Sequence, residues 1–219
     1  MLNFILFLTS FFLTNYLMSQ NLLNEKIKDV DGNAYQQIVI GNQIWLDRNL
    51  QVTHFNNGAL IPFVAENKEW SNLTTPGYCF YQNKKENTTS FGVLYNWYVI
   101  DKGNVCPVGW HVPSDDEWTV LSFFLGGDLV AGSQIKSNTG WNLNGNGSDT
   151  SKFQALPSGV RFIGSSNFSN EGTSAVWWSA TEGDDTDAWF RKTNYYHPSL
   201  LRYSTNKAHG FSIRCLKDE

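Results

Sequence analysis

The chain has 219 residues, with 16 Lys or Arg against 20 Asp or Glu, and its formal net charge is -4. This acidic balance, without a long basic run, excludes a protein that grips the phosphate backbone of nucleic acid, because that function needs clustered positive charge. Only 16% of residues are charged, against ~25% in soluble domains, while 23 Asn and 18 Gly favour turns, loops and short strands.

Positions 1–19 contain no charged side chain and carry an almost continuous apolar run over 4–13. This length, with a polar end at Ser19, is typical of a secretory signal peptide. Asn15 interrupts the run, which stays shorter than the ~20 apolar residues of a membrane-spanning helix; an uncleaved anchor is the alternative. We therefore expect an exported protein, secreted or at the cell surface, that meets the membrane only through this segment if it is uncleaved. The predicted organisation is a signal peptide over 1–19, a linker over 20–28 and one domain over 29–217.

Apolar residues alternate on both sides of a Gly41–Asn42 turn, with Ile38 and Ile40 before it and Ile44 and Leu46 after it. A period of two predicts strands, so this stretch indicates a hairpin or meander.

The Asp29-x-Asp31-x-Asn33 spacing just before it is similar to the start of a calcium loop. Position 12 of such a loop is a glutamate, and here it is Ile40. The missing ligand favours a turn.

The next predicted element covers Phe91–Ile100, where nearly every residue is apolar. Val93, Leu94, Trp97 and Tyr98 fit a helical stripe, so we expect a buried helix.

The clearest helix is predicted over 113–127. Ser114 is suited to the N-cap, and Glu117 follows three residues later, as in a capping box. Trp118, with Leu121 and Leu125, forms one apolar face. Asp115 and Asp116 would place negative charge in the first turn, where the helix dipole stabilises it. This position favours a capping role for the two acidic residues over a catalytic or metal-binding role.

Short strands are expected at 175–179, at 188–190 and over the alternating residues 211–215. An exported chain with three cysteines pairs two of them and leaves one over. Cys106 precedes the predicted helix and Cys215 ends the last strand, so they are the favoured pair. Cys79, within an aromatic run, is then a buried free thiol.

Eight strings in order resemble the Fibrobacter major paralogous domain family: DVDGNAY, IGNQIWLDRNL, FGVLYNWYV, CPVGWHVPSDDEW, the loop at Trp141, FQALPSGVR, WWSAT and SIRC. They run from about Asp29 to Lys217. The family is similar to C-type-lectin-like domains and to the sulfatase-modifying-factor group. The resemblance implies an α+β, C-type-lectin-like single domain with two short helices, short antiparallel strands and long loops. It also implies the disulfide between Cys106 and Cys215.

Two loop stretches, the first over 141–149 and the second at 195–196, have the residue types of a sugar-binding site. In such a site an aromatic ring covers the C–H face of the sugar, and amides or carboxylates bind its hydroxyl groups. Calcium is an alternative ligand for the first stretch, although the Glu-Pro-Asn and Trp-Asn-Asp signatures of calcium-dependent lectins are absent. Ordinary core and turn roles compete with both assignments. The candidate ligand-binding residues are Trp141, Asn142, Asn144, Asn146, Asp149, Tyr195 and Tyr196.

Catalytic groups are harder to assign. The sulfatase-modifying oxidases hold copper with two late cysteines, and here Cys215 stands alone late in the chain. The four histidines show no helical i, i+4 pair. We expect a non-catalytic domain, without a resident metal or cofactor apart from the calcium alternative, that recognises carbohydrate or a cell-envelope component. A structural module of the envelope and a metal-dependent oxidase are the competing hypotheses.

Overall fold

The computed structural model describes residues 25–164 and 167–219, so the predicted signal peptide over 1–19 lies outside the described residues. This part of the chain is mixed α+β, with short helices and small antiparallel sheets. None of its helices combines the length and apolar character needed to cross a bilayer.

The strands are β1 (Ile27–Lys28), β2 (Ala34–Tyr35), β3 (Gln37–Ile40), β4 (Gln43–Leu46), β5 (Tyr78–Cys79), β6 (Leu94–Tyr95), β7 (Trp110–His111), β8 (Ser158–Arg161), β9 (Phe168–Glu171), β10 (Ser174–Glu182), β11 (Asp187–Asn194), β12 (His197–Asn206) and β13 (Leu216–Lys217). The helices are α1 (Asn67–Ser71), α2 (Thr88–Phe91), α3 (Tyr98–Lys102), α4 (Asp115–Phe124) and α5 (Asp128–Ile135). Single 3-10 turns lie at Tyr81–Asn83, Lys85–Asn87 and Asn142–Asn144.

Two sheets organise the domain. The longest strands form an antiparallel sheet in the order β10-β11-β12, and a second sheet has the order β3-β4-β13-β7. Three further antiparallel pairs join β1 to β2, β5 to β6 and β8 to β9. Ile27 and Lys28, expected in the linker, form β1 and pair with Tyr35 and Ala34.

The hairpin prediction is confirmed, because β3 and β4 form an antiparallel pair in which Gln37 lies opposite Leu46 and Ile40 lies opposite Gln43. The turn between them requires positive φ at Gly41, which has φ 65°. The turn at Asp29 is also present, and its carboxylate accepts hydrogen bonds from the backbone N–H groups of Asp31 and Asn33.

The helix predicted over Phe91–Ile100 is wrong. At Gly92 the chain turns with φ 79°, and a side chain there would collide with Asn49. Strand β6 and the short helix α3 follow, and the residues between 93 and 97 are buried all round. A run buried on every side carries no periodicity, so its apolar pattern could not separate helix from strand.

Helix α4 begins as predicted. The Ser114 hydroxyl accepts from the backbone N–H of Glu117, and the Glu117 carboxylate accepts from the backbone N–H of Ser114. Trp118, with Leu121 and Leu125, is buried on one face.

The described residues form five helices rather than two, because α1, α2 and α5 were not predicted. Helix α5 is the longest of these three. It starts directly after Gly127 and contains Gly132, where a side chain would collide with the backbone of Ser199. Close packing against β12, invisible in the sequence, accounts for this helix.

The disulfide prediction is confirmed: Cys106 and Cys215 are bonded across 109 positions of the sequence, and Cys79 is free and buried. The alternating strand expected over 211–215 is wrong. Those five residues are all buried, and they pass through the core with isolated bridges at Phe211 and Ser212 before β13 begins.

One buried cation joins the separate parts of the core. The Arg214 guanidinium donates to the backbone oxygens of Leu46 (2.9 Å) and Phe153 (2.8 Å) and to the side-chain oxygen of Asn49 (3.2 Å). The same Asn49 oxygen accepts from the Trp177 indole at 2.9 Å. Burial lowers the pKa of Arg214 to about 9. The acceptors bind both terminal nitrogens of the guanidinium, while its buried Nε has no partner among the described residues.

We expect Trp118→Ala to destabilise the protein by ~3–5 kcal/mol, because a buried aromatic ring leaves a cavity. Ser114→Ala should cost only ~0.5–2 kcal/mol, as the loss of one cap. Denaturant unfolding of both variants measures the contrast, and equal small losses would contradict this description of α4.

Thiol titration tests the disulfide. We expect no reactive thiol in the native protein, one per chain after unfolding without reductant, and three after reduction. Replacing Cys106 and Cys215 together by serine should cost ~2–5 kcal/mol, because the closed loop constrains the unfolded chain. Three thiols in the unreduced, unfolded protein would refute the pairing.

Candidate functional site

Trp141 lies inside the core, with only 5% of its surface exposed. Its indole N–H donates to the backbone oxygen of Ala155 (3.0 Å) and to the hydroxyl of Ser137 (3.1 Å). The Lys136 ammonium group lies 5.3 Å from the ring centroid. The ring is therefore not at the surface, where sugar stacking needs it, and its role is corrected to that of an anchor for the loop.

Asn146 and Asp149 also hold the loop together. The Asn146 side-chain oxygen accepts from the backbone N–H of Trp141 (3.1 Å), and the Asp149 carboxylate accepts from that of Gln154 (2.9 Å). Asp149 is buried, and this burial raises its pKa. Both side chains thus serve the fold of the loop. Across residues 25–164 and 167–219, no group of three or more His, Cys, Asp or Glu side chains is placed to hold a metal ion.

The remaining candidates form one surface, which we call the ledge: Asn142–Asn144 with Tyr195–Tyr196. Leu143 is 80% exposed and Tyr196 is 71% exposed. The Tyr195 ring is half-buried against the core and lies 5.1 Å from the Tyr196 ring, edge to face.

A shared turn brings the two halves of the ledge together. The backbone N–H of Asn142 donates to Gly172 O (2.8 Å), and the backbone N–H of Tyr195 donates to Thr173 O (2.9 Å). Gly145 packs so closely that a side chain there would approach Tyr195 to 2.5 Å. Residues far apart in the sequence thus become neighbours on one surface.

Leu143 is the ledge residue that the sequence analysis missed. It is an apolar side chain at φ 51°, a left-handed conformation that costs energy for any residue except glycine. The next residue, Asn144, has a similar φ of 59°. The Asn144–Gly145 dipeptide indicates a turn, but no local signal shows that this turn lifts a leucine into solvent.

Asp115 does more than place negative charge in the first turn of α4. It is buried, and its two carboxylate oxygens accept from Arg191 (2.8 Å) and Arg202 (2.6 Å). The Arg202 guanidinium stacks on Trp189 at 3.5 Å from the ring centroid. This ion-pair network holds α4 against the sheet of β10, β11 and β12.

His111 is bound by carboxylates on both sides. Its Nε2 lies 2.9 Å from Glu117, and its Nδ1 lies 2.6 Å from Asp218. Because a carboxylate only accepts, both contacts are satisfied together only by the protonated imidazole, in which each ring nitrogen donates. Partial burial lowers the pKa of His111, but the hydrogen bonds to Asp218 and Glu117 outweigh burial and raise it above 6.5.

The fold and the ledge describe a small α+β domain that presents an aromatic and polar loop surface. Residues 38–217 match the Fibrobacter succinogenes major domain family, and the chain belongs to that family. The match starts in β3 and ends in β13. Neither a curated protein nor a solved structure matches the chain.

The His111 bridge predicts a dependence of stability on pH. The raised pKa contributes stability that is complete below about pH 6.5 and is lost as the pH rises through the folded-state value. We expect the melting temperature to fall over this interval and the fall to shrink in His111→Gln. His197→Gln is the control, since no carboxylate partner of His197 occurs among the described residues, and it should keep the full slope. An unchanged slope in His111→Gln would contradict the bridge.

Proposed function

We propose that the protein is an exported, non-catalytic recognition module with a C-type-lectin-like fold, whose ledge binds carbohydrate or another component of the cell envelope. The observation that carries this proposal is the exposure of Leu143 and Tyr196 on two adjoining loops, the first of which has buried anchors. It is unfavourable for an aromatic ring and an apolar side chain to remain in contact with water. A ligand that covered both would remove this cost.

The chemistry of the ledge favours a sugar. A pyranose has an apolar C–H face for an aromatic ring and hydroxyl edges for amides. The Tyr196 ring offers the first contact, and the exposed side chains of Asn142 and Asn144 offer donors and acceptors for the second.

Preorganisation also supports binding at this place. The Trp141 indole, the Lys136 ammonium group and the Asn146 amide fix the loop from below. A ligand that meets a fixed loop does not have to order it, which lowers the entropic cost of binding.

Export is supported by the apolar, uncharged segment at 1–19 and by the disulfide, since such bonds persist in oxidising compartments. The oxidase hypothesis lacks a pair of thiolates. Cys215 is in the disulfide, and burial raises the pKa of the Cys79 thiol to about 12.

A structural role in the envelope is the second candidate, and one observation favours it. Helices α4 and α5 expose Phe123 (82%), Phe124 (61%) and Leu129 (75%) near the α4–α5 junction. Exposed apolar side chains of this size are typical of surfaces that pack against another protein.

A glycan array followed by calorimetry tests the first candidate. We expect Tyr196→Ala to weaken binding of the selected glycan at least tenfold, about 1.4 kcal/mol, because the ring loses its contact with the sugar. Tyr203→Ala is the matched control, because Tyr203 is also half-exposed but lies on β12 outside the ledge. Absence of binding to any polysaccharide or peptidoglycan fragment, or an equal loss in both variants, would refute the proposal.

A further inference from the structure

A polar cleft of about 500 Å³ lies between the turn after β1, the segment following β4, and the start of α2. This volume falls within the range of small-molecule sites. The cleft shares no lining residue with the ledge. It is lined by Asp31, Asn33, Gln51, Thr53, His54, Phe80, Lys85, Thr88 and Thr89.

Buried hydrogen bonds fix one wall of the cleft. The Tyr35 hydroxyl donates to the Asp29 carboxylate (2.6 Å) and accepts from the backbone N–H of Gln51 (3.0 Å). Asp29 in turn holds the backbone of Asp31 and Asn33 through its other oxygen. Because Tyr35 and Asp29 are buried, the position of Asp31 is set before any ligand arrives.

The Asp31 carboxylate already accepts three hydrogen bonds from the protein. It accepts from the backbone N–H (2.6 Å) and hydroxyl (2.8 Å) of Thr53 and from Nδ1 of His54 (2.6 Å). Partial burial raises the pKa of Asp31, but these hydrogen bonds outweigh burial and lower it. These donors stabilise the ionised carboxylate and hold it against the wall.

Other groups of the lining are free to bind. Since His54 donates through Nδ1 to a carboxylate, its Nε2 is the remaining nitrogen, and no partner for it occurs in the described part of the chain. Within the same residues, the Lys85 ammonium group has neither an ion pair nor a hydrogen bond. The Gln51 amide N–H donates to Thr88 O (2.9 Å), which leaves its oxygen as an acceptor.

We propose that this cleft binds a carboxylated sugar of the uronic-acid class. Lys85 pairs with the carboxylate, Nε2 of His54 and the Gln51 oxygen accept hydrogen bonds from hydroxyl groups, and Phe80 faces the C–H surface of the ring. A carboxylate is favoured because Lys85 is the cationic side chain of the lining and has no ion pair among the described residues, whereas Asp31 is already engaged by three protein donors. A hydroxylated ring is required because the other free groups of the wall are neutral acceptors and hydroxyls.

Calorimetric titration with digalacturonic acid and with its dimethyl ester tests the proposal, since the pair differs in charge and hardly in shape. We expect the acid to bind and the ester to bind at least tenfold more weakly. Lys85→Gln should weaken binding of the acid by a similar factor and leave the ester unaffected. His54→Gln should weaken binding of both ligands, because it removes a contact to a hydroxyl group.

Lys84→Gln is the matched control, because Lys84 is the adjacent exposed lysine and does not line the cleft. It should bind the acid like the unmodified protein, and so should Tyr196→Ala, which separates this site from the ledge. Lys85 is exposed, so Lys85→Gln should keep the melting temperature. The proposal is overturned if the acid does not bind, if acid and ester bind equally, or if Lys84→Gln loses as much affinity as Lys85→Gln.

Discussion

The contact between Arg214 and Asn49 holds the described domain together. One guanidinium binds the backbone at Leu46 and at Phe153, and one amide oxygen serves both Arg214 and the Trp177 indole. Removing either partner would leave a buried group unpaired, which costs more than the hydrogen bond itself contributes. Short strands that bury little area alone thus depend on polar groups inside the core.

The two candidate binding surfaces, the ledge and the polar cleft, are connected to this core in different ways. Trp177, Phe153 and Trp118 form a packed set of rings, with centroids 5.5 to 5.9 Å apart. Ala155, two residues after Phe153, accepts the hydrogen bond that seats Trp141. The ledge is therefore connected to the aromatic core by one short stretch of chain, whereas the polar cleft depends on the separate frame of Asp29 and Tyr35.

Sequence reasoning succeeded where the cause of structure is local. The capping box at Ser114, the turn at Gly41 and the apolar face of α4 each follow from residues within a few positions. It failed at Phe91–Ile100 and at α5, where packing against distant backbone decides the conformation. For the site, it found the two loops but not their roles, because neither the burial of Trp141 nor the exposure of Leu143 is encoded by neighbouring residues.

The bond between Cys106 and Cys215 has a further consequence when the chain is cut by a protease. It encloses α4, α5, the ledge and the long sheet in a single covalent ring. Proteases cut at exposed turns, such as the acidic one between β10 and β11. A single cut inside this ring yields two pieces that stay tethered, so a nicked molecule retains every strand needed to close up again.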